Sequence, residues 1–354
     1  MPKVLVIGPK FYHFLSAVEA AFREWGWETS VESYAAPVHP YGWKEKCRYK
    51  LSADKAALER RSLERYQAQI LLRFEAVRPD LVFILNGDFL AAGTLDRFRA
   101  SSKVALWMFD SYGRLPGARG HGAHVDALFC FDKGDADAFN ERGIRAHFLP
   151  QACDTAVYHP LPGVRKDIDI LFVGNLLYSP RRRQLMNAVI RQFPGRKIRV
   201  YGWYQPWFKG LGAWLKRPYK HIYRNVNVPP ERVNRLYNRA RVVLNIHQEH
   251  QRDGANPRVF EICASGAWQV CDRNPYIEGL FPAGSVGLYG REDELFARIG
   301  EALASDCTSG ARRAREEVLL HHSFPVRIRQ VLETLYPDLS YSRHDTDPDH
   351  QPEL

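Results

Sequence analysis

Short runs of apolar residues recur along this chain of 354 residues, and most of them end in a glycine or a polar residue. Runs of this kind are typical of strands that are buried on both faces of a parallel sheet. Stretches with helical spacing lie between them, such as Phe14, Val18, Phe22 and Trp25. The pattern therefore predicts an α/β fold with strands at residues 3–8, 81–85, 104–109, 127–131, 168–175, 198–202, 242–247, 268–271 and 286–288.

Two successive strand–helix series are present, and each opens with a strand that ends in glycine, at Gly8 and Gly174. This organisation predicts two Rossmann-like domains that face a cleft. The first turn holds a single glycine, so the dinucleotide fingerprint is absent and hydride transfer is disfavoured. The predicted divisions are a first domain over residues 1–155, a proline-rich connection near 149–166, a second domain over 166–322, a helix over 323–337 and a disordered tail over 338–354.

One short loop feeds directly into a predicted helix that begins near Asn256 and Pro257 and stops at Gly266. Asparagine is a favourable N-cap, and proline suits the first helical position. The free N–H groups and positive dipole end of such a helix favour a phosphate. Arg258 in the first turn is unfavourable against that dipole, and an anionic ligand between them would remove the conflict.

Polar residues also follow other predicted strands. Residues 181–183 are three consecutive arginines after the strand end at Gly174 and Asn175, and we expect Arg182 or Arg183 to contact a phosphate. In the first domain Asn86, Asp88, Asp110 and Asp132 each follow a strand. Because the carboxyl ends of parallel strands share one edge, these four residues are predicted to face one cleft, although each alone also suits a turn or a helix cap.

Residues 253–261 resemble a known donor site. Asp253, seven intervening residues and Glu261 are similar to the E-x7-E element of GT-B glycosyltransferases, with aspartate in place of the first glutamate. More closely, residues 245–247 (Asn-Ile-His) and 254–261 (Gly-Ala-Asn-Pro-Arg-Val-Phe-Glu) resemble the CgeB-like, or spore maturation protein-like, glycosyltransferases.

The resemblance implies a GT-B fold in which the first domain is on the acceptor side, the second binds the donor, and the C-terminal helix crosses back to the first domain. It also implies a nucleoside-diphosphate sugar of UDP or GDP type as donor. Glu261 would accept hydrogen bonds from the ribose, and Asn245 and His247 would contact the base or the sugar. The expected diphosphate and sugar contacts are Gly174, Asn175, Arg182, Arg183, Asp253, Gly254, Ala255, Asn256 and Arg258.

The expected reaction is transfer of a sugar to a glycan, lipid-linked or protein acceptor. Retention of anomeric configuration is favoured because E-x7-E relatives are retaining, and the leaving phosphate could then take the acceptor proton. An inverting reaction would need a base, for which Asp110 and Asp88 are the candidates. No D-x-D element stands where a metal would be held, so no obligatory metal or other cofactor is expected. A non-catalytic sugar- or nucleotide-binding envelope or spore assembly protein and a nucleotide-sugar isomerase of the same fold remain alternatives.

The charge and cysteine content bear on partners and location. The formal net charge of +10 suits nucleotide phosphates, an anionic membrane surface or nucleic acid, but no nucleic-acid-binding motif is present. The six cysteines are scattered without a C-x-x-C pair, and no apolar run is long enough for a membrane span or signal peptide. We expect a cytoplasmic protein with peripheral contact at the inner membrane face. The aromatic and basic segment 203–220 suits a lipid headgroup, an acceptor sugar or a buried loop.

Overall fold

The fold comes from a computed structural model, which describes residues 1–9, 13–34, 47, 49–118, 120–203, 222–249, 251 and 253–338. Within these residues the chain divides into two compact units. Unit 1 comprises Met1–Leu149 and the described residues from Phe324 onward, and unit 2 comprises Pro150–Ser323. Residues 204–220 of the aromatic and basic segment lie outside the described part. No helix of the described part is both long and apolar enough to span a bilayer.

Unit 1 is built on a parallel sheet of six strands in the order β2-β1-β3-β4-β5-β6. Its side chains are largely inaccessible, as the continuous apolar runs of the sequence predict for a sheet covered on both faces. Its strands are β1 (Lys3–Pro9), β2 (Glu28–Tyr34), β3 (Leu81–Leu85), β4 (Lys103–Met108), β5 (Ala127–Cys130) and β6 (Ala146–Phe148). Its helices are α1 (Phe14–Glu24), α2 (Lys55–Val77), α3 (Ala92–Arg99), α4 (Lys133–Glu141) and α11 (Phe324–Leu335).

Helix α11 follows unit 2 in the chain but packs in unit 1 against α1. The indole N–H of Trp25 donates to the Pro325 carbonyl at 2.8 Å. Rings of Phe14 and Phe324 lie 6.2 Å apart between centroids, and those of Trp27 and Tyr336 lie 5.8 Å apart. Aromatic contacts of this kind explain why the apolar face of α11 is buried.

Unit 2 repeats the design with a parallel sheet in the order β12-β11-β10-β7-β8-β9. Successive residues of β7 alternate between two cores, so that Ile170 and Phe172 face one and Leu171 and Val173 face the other. The strands are β7 (Ile168–Val173), β8 (Ile198–Tyr201), β9 (Tyr223–Arg224), β10 (Ala240–Asn245), β11 (Gln269–Asp272) and β12 (Gly287–Tyr289). The helices are α5 (Pro180–Gln192), α6 (Pro230–Arg239), α7 (Pro257–Ala264), α8 (Pro275–Glu278), α9 (Glu292–Ala304) and α10 (Thr308–His321).

Each sheet has one point at which the strand order reverses. In unit 1 it lies between β1 and β3, and in unit 2 it lies between β7 and β10. Open parallel sheets bind their ligands outside the carboxyl ends of the strands at such points. The two α/β units confirm the predicted pair of Rossmann-like domains. The loops after β3, β7 and β10 lie at the reversal points and are the candidate positions for a site.

Candidate functional site

The loop after β7 is held against the loop after β8 by a glycine. Gly202 adopts φ +133°, and a Cβ at this position would lie 2.0 Å from the carbonyl oxygen of Gly174. The Gly174 N–H in turn donates to the Tyr201 carbonyl at 2.8 Å. Only glycine tolerates both this φ and this close approach. Gly202 therefore allows the backbone of the loop after β8 to pack directly against Gly174.

The three consecutive arginines at the start of α5 go in three directions. Arg183 is exposed, whereas Arg181 turns towards the end of β11. Arg182 is buried, and it donates from Nε to the Ile246 carbonyl at 2.7 Å and from Nη1 to the Asn175 carbonyl at 3.1 Å. Burial, followed by the nearby charge of Arg258, lowers the pKa of Arg182 to about 10. Arg182 therefore joins the two loops at the reversal point while its charge lies in the field of a second cation.

The side chain of the N-cap residue does not cap helix α7. Asn256 occupies the N-cap position, but its side chain makes no capping hydrogen bond. The Asn256 amide instead exchanges hydrogen bonds with the Asn245 amide, at 3.0 and 3.2 Å. The cap that the sequence suggested is thus absent because a buried partner at the end of β10 takes the Asn256 side chain. The positive end of α7 keeps its capacity for an anion.

The residues before Asn256 follow the same tight course. Ala255 is fully buried, and the Gly254 carbonyl accepts a hydrogen bond from Asn274 Nδ2 at 2.8 Å. Asp253 is partly exposed at the entrance of this loop. The backbone of residues 253–256, which we call the donor loop, is therefore fixed from two neighbouring strand ends.

Glu261 lies one turn further along α7 and is only 6% exposed. Burial raises the pKa of Glu261 to about 7, against the opposing effects of the Arg258 charge and a hydrogen bond with Tyr158. The carboxyl is therefore close to its own titration near neutral pH. The protonation of such a carboxyl changes readily when a hydroxyl or a cation is placed beside it.

A buried network closes the β11 side of the site. Asp272 Oδ1 lies 2.7 Å from His247 Nδ1, and Asp272 Oδ2 accepts from Arg181 Nη1 at 2.8 Å. The backbone N–H of His247 also donates to Asp272 at 2.9 Å. Burial alone would raise the pKa of Asp272, but the hydrogen bonds from His247 and Arg181 lower this pKa to about 2. Asp272 is thus a carboxylate with its oxygens fully engaged.

His247, Cys271 and Asp272 also bring one ligand atom each to within 4.8 Å of one another. Three such atoms can hold a metal ion when their lone pairs are available. Here the Asp272 oxygens accept N–H groups of His247 and Arg181, which a bound cation would have to displace. The cluster is explained by its own hydrogen bonds.

A polar cavity of about 360 Å³ opens beside this network. Among the residues that the structure describes, its lining holds no apolar side chain and combines two guanidinium groups, three side-chain amides, two carboxylates and one imidazole. The lining residues are Arg181, His247, Gln248, Glu249, Gln251, Asp272, Arg273 and Asn274. A surface of this composition offers hydrogen bonds to a polar ligand.

The strand ends of unit 1 bring two of the predicted acids together. Asn86 and Gly87 both adopt positive φ, +65° and +74°, and turn the chain sharply at the end of β3. Burial, followed by the charge of Asp110, raises the pKa of Asp88 to about 6. Oδ1 of Asp88 is buried and has no hydrogen-bond partner among the described residues. Asp110 pairs with Arg114 at 3.0 Å.

The other two strand-end residues of unit 1 have structural roles. Asp132 is buried and caps α4 by accepting from the Gly134 N–H at 3.0 Å. The Asn86 side chain accepts from the Phe109 N–H at 2.8 Å and so links β3 to the end of β4. Of the predicted set of four, Asp88 and Asp110 interact electrostatically, whereas Asn86 and Asp132 are engaged by backbone amides.

The sequence analysis did not single out three residues of this candidate site. Asp272 ends β11 and could have been found as a further polar residue at a strand end. Glu249 accepts from Ser179 Oγ at 3.0 Å and from the Arg181 N–H at 3.3 Å, at the start of α5. Tyr158 forms a hydrogen bond with Glu261. It lies between β6 and β7 in the chain, 103 positions before Glu261, and no local sequence pattern predicts the contact.

Comparisons with known proteins agree with this architecture. Residues 181–333 match the family model described as glycosyl transferase-like. The spore protein CgeB of Bacillus subtilis is 22% identical over 244 residues, which are 65% of this chain and 74% of that protein. The range of the family model contains the donor loop, α7 and the network around Asp272.

Solved structures extend the likeness to the whole chain. Sucrose-phosphate synthase from Thermosynechococcus elongatus superposes with a TM-score of 0.67 at 12% identity, covering 95% of this chain and 100% of that one. HepE from Anabaena, in complex with UDP and glucose, superposes with a TM-score of 0.62 at 14% identity, covering 95% and 99%. Residues 181–333 are thus glycosyl transferase-like, the two Rossmann-like units have the GT-B fold of these solved structures, and the chain is similar to CgeB.

Proposed function

We propose that the chain transfers a sugar from a nucleoside-diphosphate sugar whose diphosphate lies between the start of α7 and the guanidinium groups of Arg182 and Arg258. The observation that carries the proposal is the effect of one cation on the other, because the charge of Arg258 lowers the pKa of the buried Arg182. Two cations in one another's field beside an uncapped helix start favour an anion of high charge. A diphosphate has that charge and the acceptor oxygens to match.

Glu261 accepts hydrogen bonds from the ribose hydroxyls in this proposal, and Asp253, Gly254 and Ala255 approach the sugar. Gly174, Asn175 and the exposed Arg183 line the entrance beside the diphosphate. Asn245 and His247 support the donor loop, since Asn245 holds the Asn256 side chain and His247 contacts the Asn256 backbone. The donor is of UDP type, as in the UDP and glucose complex of the similar HepE structure.

Transfer is proposed to be retaining and independent of a metal, with a glycan, lipid-linked or protein acceptor. The position of Glu261 supports this assignment, since it matches the second acid of the E-x7-E element. The raised pKa of Asp88 favours a second reading, in which this carboxylate removes the acceptor proton and the product is inverted. The anomeric configuration of the product, read by NMR, separates the two mechanisms. Transfer measured with and without EDTA tests whether a metal is required.

Donor binding is tested by thermal unfolding with UDP and GDP. UDP at about one hundred times its dissociation constant should stabilise the wild type by about 2.7 kcal/mol. Arg258→Ala should lose this stabilisation, while the matched variant Arg183→Ala, an exposed arginine of the same site, should keep most of it. GDP should give a smaller shift than UDP. Equal responses of both variants, or no response of the wild type to either nucleotide, would refute the proposed site.

A further inference from the structure

We infer that His247 is a positioning residue, which sets the backbone of the donor loop through its Nε2 atom without touching the donor. The inference rests on the proposed function for its effect on nucleotide affinity, but the geometry stands independently. His247 follows β10, is only 3% exposed, and has both ring nitrogens in contact with other elements. Its two partners are Asp272 at the end of β11 and Asn256 at the start of α7.

The proton positions follow from the partners. The Asp272 carboxylate accepts from the His247 backbone N–H and from Arg181, so it serves as an acceptor towards the imidazole as well. Nδ1 of His247 therefore carries a proton and donates it to Asp272 Oδ1 at 2.7 Å. This leaves Nε2 with a lone pair, and the Asn256 backbone N–H donates to it at 3.4 Å. The Asn256 N–H thus donates to His247, and His247 donates to Asp272.

The consequence for the site concerns the direction of α7. Asn256 is the N-cap residue of this helix, and its own side chain is held by Asn245. Its N–H is bound by His247, so side chain and backbone are fixed from neighbouring positions of the same strand end. The amides that follow Asn256 are thereby aimed before any ligand arrives. Arg181 contributes by holding Asp272, which in turn fixes the tautomer of His247.

Two variants separate this role from a purely structural one. The amide oxygen of His247→Gln can replace the Nε2 acceptor, while the contact with Asp272 is lost. The side-chain amide of His247→Asn can replace the Nδ1 donor, while the contact with Asn256 is lost. Positioning requires the first contact, and the stability of the buried pair requires the second.

Hydrogen exchange of the Asn256 amide in the ligand-free protein gives the primary readout. We expect His247→Asn to accelerate this exchange by about fivefold or more, the size of one lost hydrogen bond, and His247→Gln to leave it within about twofold. UDP affinity should follow the same order, weaker by about fivefold in His247→Asn. The reverse order in the exchange experiment would overturn the inference and leave His247 as a partner of Asp272 alone.

Neutron diffraction from crystals of the wild type tests the same point without a variant. Hydrogen on Nδ1 and none on Nε2 supports the inference, and hydrogen on Nε2 overturns it. Failure of the proposed function is distinguishable, because a wild type that does not bind UDP would still show the expected exchange order and proton positions. In that case His247 orders the start of α7 for another ligand.

Discussion

Each unit has an aspartate at or just after the carboxyl end of a strand of its parallel sheet, and the surroundings of the two aspartates shift their pKa values in opposite directions. In unit 2, Asp272 is surrounded by donors, and hydrogen bonds from His247 and Arg181 overcome burial to lower its pKa to about 2. In unit 1, burial and the charge of Asp110 raise the pKa of Asp88 to about 6. The strand end itself is common to both. The hydrogen-bond donors around a buried carboxylate decide whether it stays ionised, as Asp272 does, or has a raised pKa, as Asp88 does.

The largest expected effect is the loss of the engaged carboxylate. Asp272→Ala leaves His247 Nδ1 and the Arg181 guanidinium without their acceptor, so the free energy of unfolding should fall by about 4 kcal/mol. Chemical denaturation at pH 7 measures it. Asp293→Ala is the matched control, since Asp293 pairs with Arg291 where both side chains are mostly exposed, and it should leave the free energy of unfolding nearly unchanged. A comparable loss in the two variants would show that the buried carboxylate contributes no more to stability than an exposed one.

The next largest effects are expected for glycine variants in the loops beside Gly174 in unit 2 and Asp88 in unit 1. Gly202→Ala places a methyl group 2.0 Å from the Gly174 carbonyl at a φ of +133°, so it should destabilise by about 3 kcal/mol. Gly117→Ala in unit 1 meets the Asp88 carbonyl at the same distance without the unfavourable φ, and about 2 kcal/mol is expected.

Gly113→Ala is the control for both glycine variants, because its Cβ would meet nothing within 4 Å. It should change the free energy of unfolding by less than about 0.5 kcal/mol. Gly202→Ala should also weaken UDP binding, whereas Gly117→Ala should not. Loss of UDP affinity in the unit 1 variant would show that the two sites are not separable in this way.

The sequence alone predicted the parts of this picture that depend on local pattern. The apolar runs predicted both parallel sheets, and the order Asn256-Pro257 predicted the start of α7. It did not predict that Asn256 leaves its helix uncapped, because its partner Asn245 is contributed by another strand. The fates of Arg181, Arg182 and Arg183 also differ for reasons that lie outside their own segment. Pairings between distant strand ends need the register of the sheet.

Glu261 allows the comparison to be made within unit 2. Its pKa is raised from an ordinary 4.5 to about 7, so the folded state binds a proton more tightly than the unfolded state. Its stabilising contribution is present below pH 4.5 and is lost as the pH rises towards 7. Relative to the wild type, Glu261→Gln should therefore gain about 2 kcal/mol between pH 5 and pH 8.

Urea unfolding of both proteins across this pH range gives the difference. In the same variant UDP binding should weaken, because the proposed ribose acceptor is replaced by an amide that also donates. A difference that does not change with pH would mean that Glu261 stays ionised throughout, as Asp272 does. Glu261 and Asp272 would then both be ionised carboxylates between pH 5 and pH 8.

The smallest expected effect concerns Asp88, which is partly exposed. Its raised pKa of about 6 makes its contribution to stability decline as the pH rises from about 4 to 6, so Asp88→Asn should gain stability over the wild type across that window. Solvent screening limits the gain to about 1 kcal/mol. Asp110→Asn removes the neighbouring charge, and carbon NMR should then find the Asp88 carboxyl titrating at lower pH. Since burial is the larger cause, a raised pKa should persist in part.

If Asp88→Asn also reduced transfer by about a hundredfold and the product were inverted, Asp88 would be the base and the retaining mechanism would be wrong. Near-normal transfer with a retained product would assign the proton transfer to the leaving phosphate, and the raised pKa of Asp88 would then reflect its burial and nothing further.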